Sequence, residues 1–161
     1  MTPPSPSLTL LLIRHGETAW NAEARFRGQT DIALSPRGRR QAEALARTLP
    51  PSFAIGHIYS SPLPRCLETA RPLAAALGLA VAAEPRLIDL DYGEWSGRLI
   101  AEVAEQFPQD YAAWLAGDLS FHFPGGEPVG GGAEGLTAGE AEREVAGEPG
   151  GVVLRGLLGH F

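Results

Sequence analysis

The pattern of apolar and polar positions divides the chain into alternating strand-like and helix-like segments. Leu8-Thr9-Leu10-Leu11-Leu12-Ile13 is a short apolar run that predicts a buried strand, and it stops abruptly at Arg14-His15-Gly16-Glu17-Thr18. Trp20 to Thr30 mixes charges without a period and reads as a long loop. Ala42, Leu45, Ala46 and Leu49 then recur at helical spacing, with Arg39, Arg40, Glu43 and Arg47 on the opposite, solvated face. Ser35 is a good N-cap for this helix, Pro36 suits its first position and Pro50-Pro51 ends it. A second strand is expected over Ile55 to Ser60 and a third over Leu79 to Ala83. Between them Ser61-Pro62-Leu63-Pro64 launches a helix that Gly78 can close. This alternation implies βαβ units, hence an α/β fold with a mostly parallel sheet.

The pattern changes after Ala83. Arg86 to Gly97 is turn-rich, a helix is expected from Leu99 through Glu105, and Tyr111 to Leu115 adds one or two helical turns. Residues 125–161 hold 12 of the 20 glycines, and the even periodicity ends there. Thr137 to Ala146 still reads as helical, with Thr137 and Glu140 as a capping box, and Val152-Val153-Leu154 is a candidate last strand. Residues 128–161 are nevertheless acidic and poor in apolar groups, so the last strand and the C-terminal region are expected to be missing or poorly formed. The organisation expected is a disordered Pro/Ser-rich lead-in over 1–7, a domain over 8–127 and an atypical glycine-rich segment of the same domain over 128–161.

Composition narrows the function. With 161 residues one domain suffices, and a net charge of −6 argues against nucleic acid or an anionic membrane as partner. All 13 basic residues are arginine, which excludes Schiff-base lysine chemistry and a phosphate-loop lysine. Cys66 is the only cysteine, so no intramolecular disulfide or cysteine-based zinc site can form, and a reducing, cytoplasmic setting is expected. The first apolar run is too short for a membrane span. No cluster has metal-ligand spacing, and neither a metal nor another cofactor is expected.

The candidate chemistry lies where strands end. A histidine beside an arginine there can attack phosphorus while the guanidinium holds phosphoryl oxygens, and Gly16 would let the backbone approach the phosphate. Arg65, in the first turn of its helix, reads as an anion ligand. Asp89, Asp91 and Glu94 surround Gly93 in the turn-rich stretch, where turn formation alone would also explain them. Cys66 needs no role beyond packing.

Three separated segments resemble, in order and spacing, the motifs of the histidine phosphatase superfamily, the phosphoglycerate mutase-like group. They are Arg14-His15-Gly16-Glu17-Thr18, Ser60-Ser61-Pro62-Leu63-Pro64-Arg65-Cys66-Leu67-Glu68-Thr69-Ala70 and Asp89-Leu90-Asp91-Tyr92-Gly93-Glu94-Trp95-Ser96-Gly97. Trp20-Asn21 and Phe26-Arg27-Gly28-Gln29-Thr30-Asp31 add to the match, which spans roughly 8–127. The resemblance implies a three-layer α/β/α sandwich and a metal-independent phosphoryl transfer on a small phosphorylated metabolite. His15 would form a phosphohistidine, Arg14 and Arg65 would neutralise phosphoryl oxygens, and Asp89 would be the proton donor, with Glu94 as an alternative acid. Asn21, the Gly28 backbone and Tyr92 match substrate-binding positions. The pattern departs from the family twice: Asp89 stands where a glutamate is usual, and Pro149 stands where the second active-site histidine would be. Gly150 to Leu158 resembles the segment that follows that histidine, and His57, His122 and His160 lie in other contexts. Three readings stay open: a phosphomonoester phosphatase, a mutase, and a catalytically impaired phosphate-binding homologue.

Overall fold

The computed structural model describes residues 10–49, 53, 55–130 and 151–154. Its elements are β1 (Leu10–Ile13), α1 (Ala19–Ala22), α2 (Pro36–Thr48), β2 (His57–Ser60), α3 (Pro64–Leu77), β3 (Val81–Ala83), α4 (Ile100–Gln106), α5 (Pro108–Leu115) and β4 (Gly151–Leu154). Single 3-10 turns cover Pro85–Leu87 and Gly93–Trp95. The lead-in 1–7 and the helix expected over Thr137 to Ala146 lie outside the described residues.

The sheet is parallel throughout, in the order β1-β4-β2-β3. The last strand, expected to be missing or poorly formed, is present and central: Gly151–Leu154 pairs with β1 on one side and β2 on the other. The candidate strand Val152-Val153-Leu154 is thus this element, extended by Gly151. The physical reason is that β1 and β2 are not neighbours, and Val152-Val153-Leu154 is the kind of β-branched, apolar run that a central parallel strand requires. Its register aligns Ile13, Leu154 and Ser60 in one row, with Ala83 beside Ser60. The residues after β1 and β2 consequently leave the sheet along one carboxyl edge, where open α/β sheets bind ligands.

α2 and α3 form as the periodicity requires. The Ser35 hydroxyl accepts from the Gly38 N–H at 3.1 Å, and Gly78 caps α3 in the left-handed region at φ 67°. Ile58, Ala70, Leu73 and Ala74 make the core between α3 and the sheet, with Ala46 and Leu49 of α2 packed against it. Arg39, Arg40, Glu43 and Arg47 are exposed, as a solvated face demands. The loop expected over Trp20 to Thr30 begins instead with α1, whose Thr18 and Asn21 form a capping box that the charge pattern concealed.

A second core surrounds Trp95, which is fully buried among Phe26, Tyr92, Val103, Trp114, Phe121 and Phe123. The rings of Phe26, Phe123 and Phe121 lie 5.1, 5.2 and 5.5 Å from that of Trp95, within the range of favourable aromatic pairs. Backbone bonds Phe26 N to Arg98 O and Gly97 N to Phe26 O tie the segment before Gly28 to this core. The turn-rich stretch thus supports a loop as well as carrying carboxylates.

Gly16 and Gly38 join the loop after β1 to α2. A Cβ on Gly16 would stand 2.6 Å from the Gly38 carbonyl oxygen, and one on Gly38 would stand 2.1 Å from that of Glu17. Gly16 is therefore required by this backbone contact, a different reason from the phosphate approach expected for it. Alanine is preferred to glycine inside a helix by about 1 kcal/mol. Gly38→Ala is nonetheless expected to destabilise the protein by about 1–3 kcal/mol through overpacking, read as a lowered urea midpoint; a raised midpoint would mean the two segments do not touch.

Candidate active site

His15 leaves the carboxyl edge of β1 with its side chain oriented by its own loop. The ring is buried, and its Nδ1 lies 2.7 Å from the Gly16 carbonyl oxygen. A carbonyl can only accept, so Nδ1 carries the proton and Nε2 holds the free lone pair. Burial pushes the imidazole pKa down to about 4, against the Gly16 carbonyl and with the help of Arg65, Arg27 and Arg14. The ring is consequently neutral at pH 7 and nucleophilic at Nε2. The Gly16 N–H donates to Thr69 Oγ1 at 3.0 Å, and that hydroxyl donates to the Arg65 carbonyl at 2.7 Å, so α3 clamps the histidine loop.

Arg65 is the second residue of α3 and is 0 % exposed. Its Nη1 donates to Thr30 O at 3.0 Å, and its Nη2 donates to Gly28 O at 2.7 Å and to Asp89 Oδ2 at 3.1 Å. The Nε–H has no hydrogen-bond partner among the described residues. An unpaired buried donor costs about 1–3 kcal/mol, and an oxyanion placed beside it would supply the missing acceptor. Gly28 makes the approach of the loop possible: its φ is +51°, and a Cβ would meet Leu90 O at 2.8 Å and Tyr92 Cδ2 at 2.9 Å. The Gly28 carbonyl is thus committed to Arg65.

Asp89 is 9 % exposed and closes the group. Its second oxygen accepts from the Leu90 N–H at 3.0 Å. Burial pushes its carboxyl above the usual carboxylate range, against the opposing pull of Arg65, the Leu90 N–H and Arg27. Tyr92 is buried too, and burial followed by the Asp89 charge keeps its phenol protonated well beyond the ordinary range. A cavity of about 160 Å³ opens beside these residues, lined by Arg14, Asn21, Arg27, Asp89, Tyr92 and Trp114 among others. Asn21 Oδ1 accepts from both the Thr18 N–H and hydroxyl at 2.9 Å, which leaves its amide N–H groups for a ligand.

His15, Arg14, Arg65, Asp89, Asn21, Gly28 and Tyr92 are therefore brought together. Glu94 is not: it is exposed, its side chain lies against Gly125, and only its backbone is held, by Pro124 O. His57 begins β2, at the opposite end of that strand from the site, and His122 is exposed. Cys66 is buried, and burial pushes its thiol up, in keeping with packing alone. The motifs did not single out Arg27 or Thr69. Arg27 had one available signal, a charge wedged between a core phenylalanine and a glycine that the resemblance already matched. Among the described residues, no group of three His, Cys, Asp or Glu is placed to hold a metal ion. No helix among them is long and apolar enough to cross a membrane.

The chain is 43 % identical over 120 residues to phosphoserine phosphatase 1 of Hydrogenobacter thermophilus, covering 74 % of this chain and 56 % of that protein. It is 36 % identical over 118 residues to phosphoglycerate mutase-like protein 4 of Arabidopsis thaliana, covering 73 % of this chain and 51 % of the relative. The chain thus spans about half the length of these curated relatives. A mycobacterial glucosyl-3-phosphoglycerate phosphatase in complex with VO3 superposes with a TM-score of 0.79 at 34 % identity, over 91 % of this chain and 74 % of that one. The model of the histidine phosphatase superfamily (branch 1) matches residues 10–146, and the chain belongs to that family.

Proposed function

We propose that the chain hydrolyses small phosphomonoesters through a phosphohistidine at His15. The observation that carries this is the single free lone pair of a buried, neutral imidazole beside a buried guanidinium with an unpaired Nε–H. In the first step His15 Nε2 attacks phosphorus, and the P–O bond to the alcohol breaks. Arg14, Arg65 and the Asn21 amide hold the non-bridging oxygens, where charge stabilisation is the main lever of phosphoryl transfer. Protonated Asp89 gives its proton to the departing alkoxide. In the second step Asp89, now a carboxylate, takes a proton from the water that attacks the phosphohistidine, and inorganic phosphate leaves. No metal enters either step.

Hydrolysis is preferred to transfer onto a second acceptor because the relative at 43 % identity is named a phosphatase. An impaired rate is supported by Pro149, which stands where the family's second histidine would add another donor to the phosphoryl group. The single cysteine fits work in a reducing compartment such as the cytoplasm.

Incubation with a 32P-labelled aryl phosphate and an alkaline quench should trap an acid-labile, base-stable adduct that disappears in His15→Ala. Turnover should fall below the usual enzymatic range of about 1–10³ per second. An adduct that survives the substitution would place the nucleophile elsewhere.

Arg65→Lys keeps a charge without the planar fork, so turnover should drop about 10²–10³-fold. Arg65→Ala should be worse and also lose about 1–3 kcal/mol or more of stability in urea titration, because the buried Gly28 and Thr30 carbonyls and Asp89 lose their donor. Mild and equal effects of the two changes would remove Arg65 from the site.

The pH profile follows from two displaced groups. kcat/KM should rise with pH through about 4 as His15 loses its proton, then fall as Asp89, raised by burial, loses the proton it must donate. After correction for substrate ionisation, Asp89→Asn should abolish the falling limb. A profile unaltered in Asp89→Asn would exclude Asp89 as the acid.

A further inference from the structure

The peptide group that receives the His15 proton is itself held at its other end. His15 Nδ1 lies 2.7 Å from the Gly16 carbonyl oxygen. That carbonyl and the Glu17 N–H belong to one amide, and the Glu17 N–H donates to Gln41 Oε1 at 2.8 Å. An N–H can only donate, so the Gln41 atom facing it is the carbonyl oxygen. An unbroken row of hydrogen bonds therefore runs from Gln41 through a single peptide group to the proton of the imidazole.

The row stands on a fixed frame. α2, which carries Gln41, also grips Glu17 at its other polar atoms. The Ser35 N–H donates to the Glu17 carbonyl and the Ser35 hydroxyl to Glu17 Oε1, both at 2.8 Å. Arg37 Nη1 lies 3.5 Å from Glu17 Oε2. Close contact between Gly38 and the Glu17 backbone sets the distance between helix and loop. The preceding peptide group is held separately, by Thr69 of α3 through the Gly16 N–H. The two amides that flank Gly16 are thus held by different helices, and the one held by α2 is the one that bonds to the ring.

We propose that Gln41 is a positioning residue for the nucleophile, acting on His15 through the Gly16–Glu17 peptide group. An acceptor on its N–H polarises an amide and makes its carbonyl a stronger acceptor, since hydrogen bonds in a row reinforce one another. The inference rests on the reading of His15 as the nucleophile and adds to it the group that prepares the ring. As the bond from Nε2 to phosphorus forms and the P–O bond breaks, the imidazole becomes cationic and keeps its proton on Nδ1. The Gly16 carbonyl meets that charge, and Gln41 strengthens the carbonyl without touching the substrate. The contribution grows as charge develops, so it acts on the rate of phosphorylation and not on substrate affinity.

The test uses Gln41→Met, which keeps the length of the side chain without a strong acceptor, and Gln41→Glu, which keeps the acceptor oxygen. Gln41 is exposed, so neither change opens a cavity. In protein carrying 15N-labelled histidine, the Nδ1–H proton resonance of His15 is assigned by its loss in His15→Ala. It should move upfield in Gln41→Met and stay at or downfield of its wild-type position in Gln41→Glu. Rapid-quench measurement with a 32P-labelled aryl phosphate should show adduct formation slowed about three- to ten-fold in Gln41→Met. Gln41→Glu should restore the rate, and the inhibition constant for inorganic phosphate should be the same in all three proteins. An unmoved resonance in Gln41→Met, the result if water replaces the side chain, overturns the proposal. So does a loss that falls on phosphate affinity or that Gln41→Glu fails to repair. The two readings fail separately. If no protein forms an adduct while the resonance still follows the Gln41 substitutions, the nucleophile reading falls and the coupling of Gln41 to the ring stands. Equal rates of adduct formation in all three retain the nucleophile and remove the role of Gln41.

Discussion

A guanidinium with no exposure to water must be compensated from within, and Arg65 draws its compensation from three separate stretches of chain. Gly28 and Thr30 give carbonyls and Asp89 gives a carboxylate, while Arg65 itself is fixed by α3. Thr69, one helical turn later, holds the histidine loop through the Gly16 amide. A single buried cation therefore fixes the position of the nucleophile loop, the loop before Thr30 and the carboxylate turn relative to one another. A buried ion pair adds little net stability, because desolvation offsets most of the attraction. Its value here is geometric: nearly every group needed around a phosphoryl centre is held by bonds to Arg65 or to its helix.

The same arrangement moves the two titrating groups of the site apart. His15 and Asp89 are both buried, and burial moves an imidazole and a carboxylate in opposite directions. The base becomes more available as a neutral nucleophile, and the acid holds its proton longer. Neighbouring arginines act on both groups in the same sense, lowering each value, so they reinforce the shift of His15 and temper that of Asp89. One imidazole and one carboxyl group are thus displaced in opposite directions by one shared environment, as the proposed roles of nucleophile and proton donor require.

Much of this was legible in the sequence, and the exceptions have physical causes. Leu10–Ile13, Pro36–Thr48 and Pro64–Leu77 follow from periodicity and caps, because both signals are local. Five of the seven residues brought together at the site were reached through the strand end, the helix start and the three motifs, and Asn21 and Gly28 through the two further segments of the resemblance. Glu94 was named on spacing alone, and spacing in a turn does not fix which way a side chain faces. The pattern offered Val152-Val153-Leu154 as a candidate strand, but composition averaged over 128–161 outweighed it, because the place of these residues in the sheet depends on a gap between β1 and β2.

The position of β4 also bears on when the site comes into being. β1 and β2 reach their relative register only through Gly151–Leu154, so the segments that carry His15 and Arg65 are bridged by the last of the described strands to be synthesised. During synthesis both loops are available long before their spacer is. Pairings this distant along the chain form slowly, since the intervening loop must close before any contact rewards it. The nascent chain accordingly holds an open edge on β1 and another on β2 until residues 151–154 have been released, and for that interval it is a chain with its catalytic loops made but not yet assembled.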